Sequence, residues 1–495
     1  MDDRISELSD CILSHIMTML SIKDLLKTSM LSRRWYKLWS LRRDLNFDIF
    51  NVFGNSEEEL LQTRHLIDVH RNYAIEPEFI FIGVPSVERS VNLDISRDEF
   101  VKRVDQFVKN FQGKKIDYFR VNFFLNHSQS NTIDQWISFA ISRGVGKIDL
   151  LFLGRPYVPF NLTSQSNRYK FDFALFSETN TSTLNHMRLE NCLVCHPINY
   201  DFIPLKNLRY LSFEEVKLNE TFIESLLSNC PQLEELCLLI CEFESSMPKI
   251  VSSSLCHLKV RGCYVASNHN QWELNLILLD CLKLTSLELD CLELTSLDIL
   301  NFNTPMLKSI KFFISLQQEL DAFATFFPQL ENMHVTTFSM ITIFRQTTQP
   351  FKHLKQLNLI VYTDSYILDD VEYDSLWILN ILQASPLLQK LSVMFADSIF
   401  SKNQKDFKDV QIFSHDELKV IELGGCVGNW HEIEFVMNVL KYARSLNQIV
   451  VSPYWREGDS LNWKCNPMWF ESGRERMREK LKGNEVVGRE KLMLI

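Results

Sequence analysis

Several things are missing from this sequence of 495 residues, and each absence closes off a class of function. No run of 18 apolar residues occurs, so no membrane-spanning helix is expected. There is no cationic surplus: 52 Lys and Arg stand against 62 Asp and Glu, a formal charge of −10, which suits nucleic acid poorly. The opening Met-Asp-Asp-Arg is charged and has no apolar core region, so no secretory signal is expected. Catalytic patterns are missing as well. There is no GxGxxG, no GxxxxGKS and no Ser/His/Asp order, and the 12 histidines fall at unrelated positions. Catalysis is not expected, and neither is a cofactor.

The 12 cysteines are spread along the chain, and without a signal they read as reduced, buried thiols of the cytosol or nucleus. Cys192-Leu-Val-Cys195-His196 has the letters of a haem-attachment site, but attachment needs export. A zinc site needs a second spaced pair, and Cys237/Cys241 or Cys281/Cys291 offer none. The acids at Asp369, Asp370, Glu372 and Asp374 lack the glycine and spacing of a calcium loop and read as a solvated loop. No metal site is expected.

What is present begins at the amino terminus. Ile12, Leu13, Ile16, Met17 and Leu20 fall on one face of a helix that the Ser9 hydroxyl can cap. Ser21-Ile-Lys-Asp24 reads as a capping box for a second helix carrying Leu25 and Leu26. Trp35, Leu38 and Trp39 give a third helix an apolar stripe. Three short helices cannot bury all of that surface, so a partner surface is implied, in this chain or another.

A second pattern runs through the rest: apolar residues at i, i+3 and i+5. It occurs at Ile116/Phe119/Val121, Ile148/Leu151/Leu153, Leu184/Met187/Leu189, Leu208/Leu211/Phe213, Leu233/Leu236/Leu238 and Leu255/Leu258/Val260. It continues at Leu284/Leu287/Leu289, Leu307/Ile310/Phe312, Leu330/Met333/Val335, Leu354/Leu357/Leu359, Leu388/Leu391/Val393, Leu418/Ile421/Leu423 and Leu446/Ile449/Val451. Starts recur near the ~20–29-residue period of leucine-rich repeats, with longer steps read as loop insertions. Each unit is a strand plus a return segment, and stacking gives one continuous core. Return helices are expected near Glu220 and Ser375, each stopping before Pro231 or Pro386. The Leu284-Thr-Ser-Leu motif recurs at Leu294 after too few residues for a rung, so one copy is assigned to the return side.

Side chains between the apolar positions must face the open wall. They are Tyr118, Arg120, His186, Arg188, Tyr210, Glu235, His257, Lys259, Arg261, Glu288, Lys311, His334, Gln356, Asn358 and Lys390. Their mixed sign suits a protein surface better than a phosphate backbone.

The first forty residues resemble an F-box of the kind common in plants: Asp3-Arg-Ile-Ser, Leu8, an apolar helix, Lys23-Asp24, then Leu31-Ser32-Arg33-Arg34-Trp35 and Leu38-Trp39. One departure is Ser9, where the family usually has proline; serine lacks the preset φ and apolar ring, so weaker adaptor binding is expected. With the repeats, the chain resembles plant F-box/LRR-repeat proteins. From Glu417 through Gly428-Asn-Trp-His-Glu-Ile-Glu-Phe435 to Ile449 it resembles the FBD-type module that accompanies many of them.

The resemblance implies an α/β fold: a three-helix F-box over 1–45, a linker or solenoid cap over 46–112, a curved solenoid of repeats over 113–414, FBD-like terminal repeats over 415–455 and a charged tail over 456–495. The Arg, Lys and Glu from Gly473 to Ile495 read as a solvated helix. It implies a substrate-recognition subunit of an SCF-type (cullin-RING) ubiquitin ligase in the nucleus or cytoplasm. Leu8, Ile12, Leu13, Ile16, Leu20, Leu25, Trp35, Leu38 and Trp39 would hold a Skp-type adaptor and, through it, cullin and RING protein. An unknown target protein would meet Arg188, Tyr210, Glu235, His257, Lys259, Arg261, Glu288, Lys311 and His334. A ligand-sensing F-box/LRR receptor and a non-ligase scaffold are the alternatives.

Overall fold

A computed structural model describes residues 7–28, 42–53, 97–152, 167–177, 182–195, 205–244, 248–265, 278–290, 301–314, 327–337, 351–362, 376–400, 414–456, 463–482 and 488–495. Outside them lie the expected third helix with Trp35, Leu38 and Trp39, the segment read as helix and strands over 57–95, the second Leu-Thr-Ser-Leu copy at Leu294, His196 and the acids at 369–374. The chain forms two units, Met1–Glu244 and Ser245–Ile495.

In the first unit, α1 (Asp10–Met19) and α2 (Ile22–Thr28) bury Leu13, Met17, Ile22 and Leu25. Ser21 caps α2 as its sequence foretells: the Asp24 N–H donates to Ser21 Oγ at 3.0 Å, and Ser21 Oγ donates to Asp24 Oδ2 at 2.8 Å. Ser9 behaves differently. Its carbonyl accepts the Leu13 N–H at 3.0 Å, but its hydroxyl makes no capping bond to α1. The helices are tied to the repeats by Arg42, only 3% exposed, which donates to Leu20 O at 2.9 Å and Asp44 O at 2.8 Å. Helix α2 packs on α3 (Ile49–Phe53).

The repeat triplets then become a ladder of parallel strands. In this unit they are β1 (Asp44–Asp48), β2 (Tyr118–Asn122), β3 (Lys147–Leu151), β4 (His186–Glu190), β5 (Tyr210–Glu214) and β6 (Glu235–Leu239). Register places Phe47, Val121, Leu150, Leu189, Phe213 and Leu238 in one inward row. One triplet is corrected. Ile148 lies opposite Phe119 and Met187, so the rung is Val145/Ile148/Leu150, three residues earlier than the spacing suggests. The alternation that would have shown this is broken, because Ile148, Asp149, Leu150 and Leu151 are all buried. Helices α4 (Arg97–Asn110) and α5 (Ser130–Ser142) cover the inner side with Phe100, Val104, Phe107, Ile133, Trp136 and Ile137. Helix α6 (Glu220–Asn229) follows Asn219, whose side chain caps it, and stops before Pro231.

The turn leaving a ladder strand is left-handed. Asn191, Glu215 and Ile240 each have φ of 52° immediately after β4, β5 and β6. This turn redirects the chain into a second parallel sheet of Tyr169–Asp172, Cys192–Cys195, Lys217–Leu218 and Glu242–Phe243. A β-branched residue is strained there, by ~1–2 kcal/mol. Ile240 is 41% exposed, so only part of its side-chain burial is lost on replacement by glycine. Ile240→Gly is therefore expected to raise stability by ~1 kcal/mol, read by urea unfolding.

In the second unit the ladder strands are β7 (His257–Arg261), β8 (Ser286–Asp290), β9 (Ser309–Ile314), β10 (Asn332–Thr337), β11 (Gln356–Tyr362), β12 (Lys390–Ala396), β13 (Val420–Gly424), β14 (Gln448–Val451) and β15 (Leu492–Leu494). Leu258, Leu287, Ile310, Met333, Leu357, Leu391, Ile421 and Ile449 align rung to rung. Helices α7 (Leu376–Ala384) and α8 (Trp430–Tyr442) are return segments. The tail departs from the expected solvated helix. Trp469, Met477 and Leu481 are buried, with α9 running over Arg474–Lys480, and β15 joins the ladder beside β14. Its charges lie beside buried Met477 and Leu481, while Phe470, Met493 and Ile495 stay exposed.

Candidate functional site

The adaptor residues divide by exposure. On α1, Ile12 is 49% exposed, and Ile16 and Leu20 are partly so, as is Leu8 before the helix. Met19, not singled out earlier, is 71% exposed and extends the Ile12 and Ile16 stripe. Leu13 and Leu25 are fully buried and anchor the helices within this chain. The helix is apolar on two sides, one turned to its own chain and one to solvent.

The ladder's outward side chains form rows. In the first unit, Asp149 is the hub. Tyr118 donates its hydroxyl to Asp149 Oδ2 at 2.6 Å, and His186 Nε2 lies 3.1 Å from Oδ1. His186 in turn stacks on Tyr210, ring centroids 4.2 Å apart and 5° from parallel. Burial alone would raise the Asp149 carboxyl, but the bonds from His186 and Tyr118 and the Arg188 charge outweigh it and hold it below the usual range. Burial pushes the Tyr210 phenol up to about 12. Arg188 donates to Glu214 at 2.6 Å, and Glu235 is half-buried on β6 beside Tyr210.

In the second unit, Lys259 pairs with Glu288 at 2.9 Å and Lys311 with the same carboxylate at 3.3 Å. Farther along, Lys390 pairs with Glu422 at 2.8 Å. His257 and Arg261 are exposed at the two ends of β7, and His334 is half-buried opposite Lys311. Arg188, Lys259, Lys311 and Lys390 on this wall are thus matched by carboxylates of a neighbouring rung.

Sequence reasoning missed Asp149, because the misplaced triplet hid its outward position. It also missed the strands Tyr454–Trp455 and Lys464–Cys465, although the density of aromatics from Tyr454 to Phe470 was a usable signal. Cys192 and Cys195 lie three positions apart on one strand and so on opposite faces, and burial pushes the Cys192 thiol up to about 12. They are poorly placed to share a metal. Cys11 and Cys465 are exposed, while seven others are buried. No described helix is long and apolar enough to cross a membrane.

Comparison with known proteins agrees with this geometry. The family model described as "At1g61320/AtMIF1, LRR domain" matches residues 107–489, and the F-box domain model matches residues 5–46. Among curated Arabidopsis thaliana relatives, F-box/FBD/LRR-repeat protein At1g51370 is 23% identical over 50% of this chain and 42% of its own length. F-box/LRR-repeat protein At3g26922 is 25% identical over 48% of this chain and 59% of its own. F-box/FBD/LRR-repeat protein At4g00160 is 26% identical over 47% and 40%. The chain thus spans well under two thirds of the length of the curated relatives it matches. With the repeat model covering most of its residues and the F-box model its amino-terminal stretch, the chain belongs to the plant F-box/LRR-repeat family, with a repeat domain of the At1g61320/AtMIF1 type.

Proposed function

We propose that the chain is the substrate-recognition subunit of an SCF-type, cullin-RING ubiquitin ligase, working in the nucleus or cytoplasm. The observation that carries this reading is the F-box match joined to α1, a helix that keeps Ile12 and Met19 exposed while Leu13 and Met17 are buried. A helix with one apolar side left to solvent suits a second polypeptide. Leu8, Ile12, Ile16 and Leu20, with Trp35, Leu38 and Trp39, would grip a Skp-type adaptor, which brings cullin and RING protein. The ladder rows would form the concave wall of a curved solenoid and hold the target. The terminal rungs from 415 to 455 would be the FBD-like module. Such a chain acts by proximity: it raises the effective concentration of target lysines beside the conjugating enzyme and supplies no reacting group itself.

The test is adaptor binding by the purified chain. Trp35→Ala is expected to weaken it by at least ~2 kcal/mol, roughly thirtyfold, as buried interface aromatics do. Ile12→Glu should act in the same direction without lowering Tm. Unchanged affinity in both folded variants would remove the adaptor assignment. Ser9→Pro is expected to strengthen binding if the missing ring is what weakens it.

A further inference from the structure

The corrected rung of β3 completes a strip on the outward face of the first unit. Register sets Tyr118, Lys147, His186, Tyr210 and Glu235 side by side, one from each of five neighbouring strands. The middle of the strip is an ordered aromatic pair. His186 lies 3.1 Å from Asp149 and covers one face of the Tyr210 ring, 5° from parallel. Asp149 also takes the Tyr118 hydroxyl, so one buried carboxylate fixes both neighbours of Lys147.

The two ends of the strip carry charge that the described residues do not use. Of the carboxylates on β4, β5 and β6, Glu190 and Glu214 lie 4.0 Å and 2.6 Å from Arg188. Glu235, half-buried on β6, has no cation among the described residues; the one polar contact of its carboxylate there is the Cys237 thiol, 3.8 Å from Oε1. The adjacent cation, Arg209, is taken by Glu234 at 2.7 Å. At the other end Lys147 is exposed and forms no ion pair with a described residue, while Lys115 and Arg43 in the neighbouring turns are matched by Asp117.

A half-buried carboxylate without a strong donor is costly until a partner supplies one. A guanidinium suits this end. With His186 on one face, the Tyr210 ring turns its other face to β6, where Glu235 lies opposite. A planar cation can stack on that ring while its N–H donors reach the carboxylate. Lys147 and Glu235 are three strand spacings apart, roughly 14 Å. An extended segment covers that in about four residues, and side chains four apart point to the same side.

We propose that this strip docks an extended segment of the target protein carrying an arginine and, about four residues away, an aspartate or glutamate. The arginine stacks on Tyr210 and pairs with Glu235, and the acid pairs with Lys147. This rests on the reading of the chain as a target receptor and gives that target a charge pattern.

The test is selection of a random dodecapeptide library on the purified full chain, followed by fluorescence anisotropy on the enriched peptides. Arginine and an acid about four residues apart are expected in the enriched set. Glu235→Gln should weaken such a peptide about tenfold or more, and Lys147→Gln and Tyr210→Leu severalfold. Glu235→Lys should reject the parent peptide and bind the version with glutamate in place of its arginine, which a misfolded chain cannot do. Enrichment of peptides without the pair, no enrichment at all, or affinity indifferent to Glu235→Gln would overturn the strip as the docking site. Adaptor affinity of the parent chain is read separately. Adaptor binding without peptide selection removes the strip and keeps the receptor reading; a chain that holds no adaptor removes that reading, and this proposal with it.

Discussion

Gly473→Ala is expected to destabilise the chain by roughly 3 kcal/mol, although helix propensity alone argues for a gain of ~1 kcal/mol. Gly473 has φ of −61°, so alanine meets no backbone strain there. What it meets is another backbone. A Cβ at Gly473 would lie 2.3 Å from Val427 O and 2.7 Å from Val427 C, and one at Gly428 would lie 2.5 Å from Gly473 O. The two glycines thus bring the turn before α8 and the start of α9 into direct backbone contact. Arg476 seals the contact, donating to Val427 O at 2.7 Å. Neither neighbour is the movable end of a side chain, so relief requires separating the two segments. Gly428→Ala should cost more, at least ~4 kcal/mol, since its φ of 80° adds left-handed strain. Lys480→Ala, at an exposed position of α9, serves as the control and should stay within ~0.5 kcal/mol. Urea unfolding at pH 7 reads all three. A Gly473→Ala chain as stable as the parent would show that the two segments do not touch.

Neighbouring residues on α8 are expected to give the fold opposing pH responses. His431 is buried, and burial lowers its imidazolium from 6.5 to about 4. A depressed value means stability that is present above ~6.5 and lost as pH falls through ~4. Glu432 is buried too, and burial raises its carboxyl from 4.5 to about 7, opposed by N–H donors from Val427, Gly428 and Asn429 and by Arg476. A raised value means stability that is complete below ~4.5 and lost as pH climbs through ~7. Each span is roughly 3 kcal/mol at ~1.4 kcal/mol per unit. Between pH 5 and 7 the two slopes largely cancel. His431→Gln should therefore leave a chain more stable at pH 5 than the parent's own pH dependence allows, and Glu432→Gln one that weakens as pH falls. The measurement is the difference in urea-unfolding free energy between those two pH values. Identical profiles for both variants and the parent would mean that neither group titrates in this range.

These two cases share a position in the chain. Both lie in the stretch from 424 to 477, where the sequence shows glycines, a buried-looking helix and many charges without showing that they belong together. Glu432 is legible as the third residue of a capping box begun by Asn429, and the box forms. Its full burial is not legible, because that depends on Gly473 arriving from more than forty residues away. The same holds for Arg42. It stands three residues before Leu45, where later rungs have an apolar residue, and only the nearby Leu20 carbonyl makes a buried guanidinium acceptable there.

By itself, the sequence determined the repeating strand, its inward row and the Ser21 cap of the second helix, but not a cap at Ser9. Those follow from periodicity, which is local: a residue's face is set by counting along a pleat or a helix. Tertiary structure alone decided which rung Ile148 joins, which adaptor-side leucines are hidden, that Lys259, Lys311 and Lys390 on the wall are already paired, and that the tail ends as a ladder strand. Each of those depends on a partner distant in sequence. Pairing charges, burying Leu13 or closing Gly428 on Gly473 is a property of two segments meeting, and no count along one of them contains it.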